Sequence, residues 1–148
     1  MFAHTLFFNN TPWTGKGSIF INMSNEEINF CARWIPNKIE DTLIKFTQEV
    51  EINDMMEKME NCISFKNFSD DKFEVELENN VWGHVKGNGI MNDKTISWEF
   101  KDREANIEGF EIYEKVSDTK YLLRAEYMSS DHHRTHIQGE LCLENPQE

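Results

Sequence analysis

A chain of 148 residues with 39% hydrophobic and 12% aromatic side chains is long enough to bury a core without staples, and too apolar to stay disordered. A formal net charge of −12 repels phosphate, which speaks against nucleic acid or an anionic membrane as partner and fits a role in solubility. No apolar run approaches the roughly 18–20 residues of a membrane helix, and no CxxC pair marks a zinc knuckle or redox site.

In chain order, "FAHTLFF" predicts a short turn; it lacks the basic start and small-residue cleavage site of a secretory leader. "GSIFINM" reads as the first strand, introduced by "PWTGK" and followed by a turn at Ser24-Asn25. "EINFCARWI" puts Ile28, Phe30, Ala32 and Trp34 on one side, and Pro36-Asn37 reads as the turn that ends it. "LIKFTQEVEI" sets Ile44, Phe46, Val50 and Ile52 against Lys45, Thr47, Glu49 and Glu51. "NDMMEKMENC" breaks this rhythm: Met55, Met56, Met59 and Cys62 fall at helical spacing behind a capping Asn53 or Asp54, a lid or a core face.

Period two then resumes. "CISFKNF", the turn Ser69-Asp70-Asp71 and "KFEVELEN" follow, the last with Phe73, Val75 and Leu77 inward and three glutamates outward. After them come "WGHVKGNGIM", a turn at Asn92-Asp93, "TISWEFK" and "GFEIYEKV". A turn at Ser117-Asp118, "KYLLRAEYM", a turn at Ser129-Ser130-Asp131 and "THIQGELCL" complete the chain. The spacing predicts an all-β fold: an antiparallel up-and-down barrel of about ten strands, with one or two short helical segments, in a single domain over 1–148. An even strand number lets first and last pair, and the seven glycines in or beside strands permit the bends that closure demands.

A tryptophan and glycine opening the first strand, "WTG", with an arginine late in the chain, resembles the calycin group, lipocalins and fatty-acid-binding proteins. Lipocalins carry the order Gly-x-Trp; here it is Trp-x-Gly. The resemblance implies the barrel. In that topology Trp13 plugs the end where the first strand begins. Arg124, near the start of the ninth strand, either stacks on the indole or faces solvent while Trp13 packs on aliphatics.

A barrel of this size holds a small ligand if side chains leave room. The expected lining is Phe30, Trp34, Phe46, Val50, Phe65, Phe73, Val75, Trp98, Phe110 and Ile112, with Tyr113, Tyr127 or Arg124 as polar anchors. A lumen below the roughly 300 Å³ typical of pockets would end the ligand-binding reading. Arg33 is expected outward, opposite an inward Trp34. His132, His133 and His136 form the densest imidazole cluster; on a continuing strand His132 and His136 stand about 13 Å apart, too far for one ion. An exposed hairpin loop is the simpler reading.

The sequence therefore predicts a cytoplasmic, soluble, lipocalin-like barrel with three free, mostly buried thiols. It would bind a small apolar or amphipathic molecule, without a cofactor. One alternative is an interaction module whose acidic surface meets a protein partner or a second copy. Another is a barrel isomerase or dehydratase using Glu126, His84 or a histidine at the mouth, which requires an inward carboxylate or imidazole with a perturbed pKa.

Overall fold

The computed structural model describes residues 4–22, 24–52, 58–102, 107–129 and 133–144. Ten strands follow one another: β1 (Trp13–Ile21), β2 (Glu27–Ile39), β3 (Leu43–Ile52), β4 (Met59–Ser69) and β5 (Lys72–Asn79), then β6 (Gly83–Met91), β7 (Thr95–Asp102), β8 (Ile107–Ser117), β9 (Lys120–Ser129) and β10 (Arg134–Leu143). Each pairs antiparallel with its successor, and β1 pairs with β10 to close the barrel. Alternation is the cause. In β5, Phe73, Val75 and Leu77 are buried while Glu74 and Glu78 face out, so only one curvature of the sheet hides the apolar face.

Closure depends on two glycines. Gly17 lies opposite Gly139 in the β1–β10 register, and a Cβ on Gly17 would fall 2.0 Å from the Gln138 carbonyl oxygen. The two backbones approach more closely there than any side chain allows.

The end carrying Trp13, here called the bottom, is sealed. Residues 4–8 make one turn across it, with the Phe7 and Phe8 N–H groups both donating to the His4 carbonyl at 3.1 Å. Leu6 and Phe7 are fully buried. The Phe7 ring meets Phe65, Phe68 and Phe73 at centroid distances of 4.7, 5.9 and 5.7 Å. His4 fastens this turn: Nε2 donates to the Asn92 carbonyl at 2.6 Å, so Nδ1 accepts the Tyr121 hydroxyl at 2.7 Å. Burial lowers the His4 pKa, which keeps the ring neutral in this arrangement.

Several expectations are corrected. Pro36-Asn37 is no turn: β2 runs on to Ile39, with a register shift between Pro36 and Lys38 that absorbs the proline's missing N–H. Among the described residues there is no helix. Of the expected helical stripe, Met55 and Met56 lie outside the described residues, while Met59 and Cys62 belong to strand β4. Trp13 is buried but packs edge-on against Tyr121 at 5.6 Å. Arg124 is exposed on the outer wall, because Tyr121 and Ala125 put the other face of β9 inside. The thiols are free but not mostly buried: Cys62 and Cys142 are exposed and Cys31 is half-buried.

Candidate functional site

The lower lumen is solid with aromatics. Trp34 meets Phe46, Trp98 and Tyr113 at 5.4, 6.4 and 5.6 Å, and Phe65 meets Trp98 at 5.0 Å. Above this layer the barrel is not filled. A cavity of about 220 Å³ opens toward the other end. Its walls are Ile19, Phe30, Val50, Ile63, Leu77, Leu123 and Ile137, its floor Trp34 and Tyr113, and its rim Met59 and Trp82. That volume falls short of the roughly 300 Å³ expected from the sequence of a ligand site, so the lumen fails that expectation as stated and fatty-acid-sized occupants are removed. It exceeds the roughly 150 Å³ in which an apolar cavity takes up benzene.

Two polar groups face each other across this space, four to five strands apart in a ring of ten. On β3, β4 and β5, Asn61 Nδ2 donates to Gln48 Oε1 at 2.7 Å, and Asn79 Nδ2 donates to Asn61 Oδ1 at 2.9 Å. Asn79 also accepts the backbone N–H groups of Val81 and Trp82 at 2.9 and 2.7 Å, which fixes the turn that carries Trp82 to the rim. There the Trp82 ring lies 5.8 Å from Tyr127.

On the opposite wall stands Glu111. Tyr113 Oη donates to its Oε1 at 2.5 Å, and Tyr127 Oη donates to its Oε2. Local structure explains the convergence. Glu111 and Tyr113 are two residues apart on β8 and share a face. Tyr127 pairs with Gly109, and its ring covers that glycine so closely that a Cβ there would lie 2.4 Å from the ring. Tyr113 is held in turn by stacking on Trp98 at 4.8 Å and 20°.

Burial pushes the Glu111 pKa up; the two tyrosine hydroxyls pull it partly back. Trp98 Nε1–H, buried and without a closed hydrogen bond, pulls weakly the same way. Burial, then the neighbouring carboxylate, pushes both tyrosines well above their ordinary range, so both remain donors. Among the described residues lining the cavity there is no lysine, arginine or histidine.

Of the eight expected ligand contacts, Trp34, Tyr113 and Tyr127 line the cavity. Phe46, Phe73 and Trp98 are buried in the packed layer beneath it. Phe110 and Arg124 are on the outer wall, as are Ile112 and Arg33. Arg33 makes a two-pronged pair with Glu144, Nε to Oε2 at 2.9 Å and Nη2 to Oε1 at 3.1 Å. The described histidines of that cluster, His133 and His136, form no metal-ligating group. His136 faces Glu126 on the outer wall at 3.5 Å, His133 is exposed beside β10, and His132 is outside the described residues. No cluster of three metal-ligating side chains occurs among the described residues.

Glu126 and His84, the expected acid–base residues, are also outward, with His84 Nε2 3.1 Å from Glu76. Glu111, Gln48 and Asn61 were missed by sequence reasoning. The signal was present: Tyr113 and Phe110 differ in parity and cannot both face in, and an inward Tyr113 carries Glu111 with it.

No family model matches the chain, and no curated protein matches it. Solved structures do. An S-type phycobiliprotein lyase, CPES, from Guillardia theta aligns at 8% identity and a TM-score of 0.75, over 94% of this chain and 90% of that one. Rv2717c from M. tuberculosis aligns at 10% identity and 0.71, over 98% of this chain and 100% of that one. EF1p2_mFAP2b bound to DFHBI aligns at 10% identity and 0.52, over 96% and 100%. At such identities the likeness concerns the fold alone, and the fold is the closed, calycin-like β barrel.

Proposed function

We propose that this protein, a single barrel domain over 1–148, binds a small amphipathic molecule of one or two rings in its upper lumen. The observation that carries the reading is a cavity left open above a packed floor, with apolar walls and polar groups at two opposed points, the make-up of small-molecule sites. A similar barrel, EF1p2_mFAP2b, was solved with DFHBI bound. The unpaired thiols, two of them exposed, favour a reducing, cytoplasmic setting. Ligand-observed NMR with a panel of ring-sized fragments tests this, using wild type and the double variant Leu123→Trp/Ile137→Trp, which narrows the cavity from two of its walls. Fragments should bind the wild type, and the variant should lose them while keeping a dispersed spectrum. A panel without binders, or equal binding to the variant, would overturn it.

A second reading, an isomerase or dehydratase in the same lumen, draws on Glu111 as an inward carboxylate with a raised pKa. It requires solvent deuterium to enter a bound ligand, and Glu111→Gln to stop that exchange. The interaction alternative draws on Phe20, Ile90 and Leu122, exposed apolar side chains of the outer wall. Sedimentation that stays monomeric at high concentration would remove its homodimer form.

A further inference from the structure

Among the described residues, the lining of the lumen holds an acid and no base. Resting on the ligand-binding reading above, we propose that it selects a small organic cation, an amine or protonated nitrogen heterocycle on a ring-sized apolar body, whose charged N–H docks on Glu111. A carboxylate turned into a low-dielectric space is costly unless a positive charge or a proton accompanies it. The described lining residues supply no such charge: around Glu111 stand Tyr113, Tyr127 and Trp98, and across the lumen the neutral amides of Gln48 and Asn61. Burial raises the Glu111 pKa, so an arriving cation and a proton compete for the same carboxylate.

Hydrogen-bond capacity points the same way. Each carboxylate oxygen accepts one tyrosine hydroxyl and has a further lone pair open. Both hydroxyl hydrogens are committed, so this wall offers a ligand acceptance rather than donation. An anionic ligand would meet like charge, and a neutral one would leave the carboxylate uncompensated. Trp34, Tyr113, Trp82 and Tyr127 line the same space with aromatic rings, whose faces attract a cation further. The net charge of −12 concentrates cations around the whole barrel.

The test compares three probes of nearly equal shape by calorimetry at neutral pH: phenethylamine, ethylbenzene and 3-phenylpropionate. The amine should bind about tenfold or more above the hydrocarbon, the scale of one charge-assisted contact, with the acid weakest. Glu111→Gln should cut amine affinity about tenfold and leave ethylbenzene within about twofold. The ranking of the probes on the wild type decides even if that variant fails to fold. Equal affinity for amine and hydrocarbon, or a variant that keeps the amine preference, overturns this inference while ethylbenzene binding leaves the lumen reading standing. Failure of all three probes to bind overturns both.

Discussion

Strand β1 carries glycines at 15 and 17, and the barrel uses them differently. Replacing a strand glycine by alanine ordinarily stabilises by about 0.4–1 kcal/mol, because the unfolded chain loses freedom. At Gly15 the new Cβ would lie 3.2 Å from Leu141 Cδ2, the end of a side chain that can turn aside. At Gly17 it would lie 2.0 Å from the Gln138 carbonyl oxygen and 2.6 Å from the Gly139 Cα. Neither is a side-chain atom, so the β1–β10 seam itself must widen. Overpacking of this kind costs about 1–3 kcal/mol or more. At about 2–4 °C per kcal/mol for a chain of this size, Gly17→Ala should lower the Tm by about 2–12 °C. Gly15→Ala should stay within about 2 °C of the parent, the entropic gain offsetting a small adjustment. Thermal melts followed by circular dichroism measure the difference. Hydrogen exchange should localise the damage to amides of β1 and β10. A Gly17→Ala protein as stable as the parent, with unchanged exchange along that seam, would refute the reasoning.

Phe7→Ala should cost about 3–5 kcal/mol in urea unfolding, since the ring is fully buried against three phenylalanines; a loss below about 1 kcal/mol would mean that the bottom turn is not seated. His4 is held neutral by burial, and its folded pKa lies below its unfolded value. The unfolded chain therefore binds the extra proton as pH falls through about 6.5, and stability should drop on acidification. His4→Gln should flatten that part of the Tm-against-pH profile. For Glu111 the sign reverses: its folded pKa is raised, so the folded chain holds more protons just above the ordinary carboxylate range and stability falls as pH rises through that window. Glu111→Gln should remove this slope; identical wild-type and variant profiles would count against an inward charge. Glu111→Leu should destabilise by about 1–3 kcal/mol for each tyrosine hydroxyl it strands, measurable against Glu111→Gln by denaturant titration.

Two-residue alternation, turn-forming residues and an even number of strands determined the ten-stranded, antiparallel, closed ring by themselves. The bounds of β3 and β5 coincide with those read from "LIKFTQEVEI" and "KFEVELEN". These are local properties: the pleat turns successive side chains to opposite faces whatever surrounds the strand. Pro36 was misread for the same reason, because a bulge depends on the partner strand β3 as much as on β2. What fills the ring was decided only by the tertiary structure. Phe46, Phe73 and Trp98 look no different in sequence from Trp34 and Tyr113. Whether an inward aromatic becomes floor, filling or wall depends on its height in a lumen that ten strands and the Leu6–Phe7 plug share. β8 and β9 carry apolar residues on both faces, so hydrophobicity could not orient them. Ladder register and the close approach of Tyr127 to Gly109 turned Glu111 inward and Arg124 outward. The lumen thus acquired Glu111 beside the expected Tyr113 and Tyr127 and lost Arg124 and Glu126 to the outer wall, since register is a relation between strands and no single strand contains it.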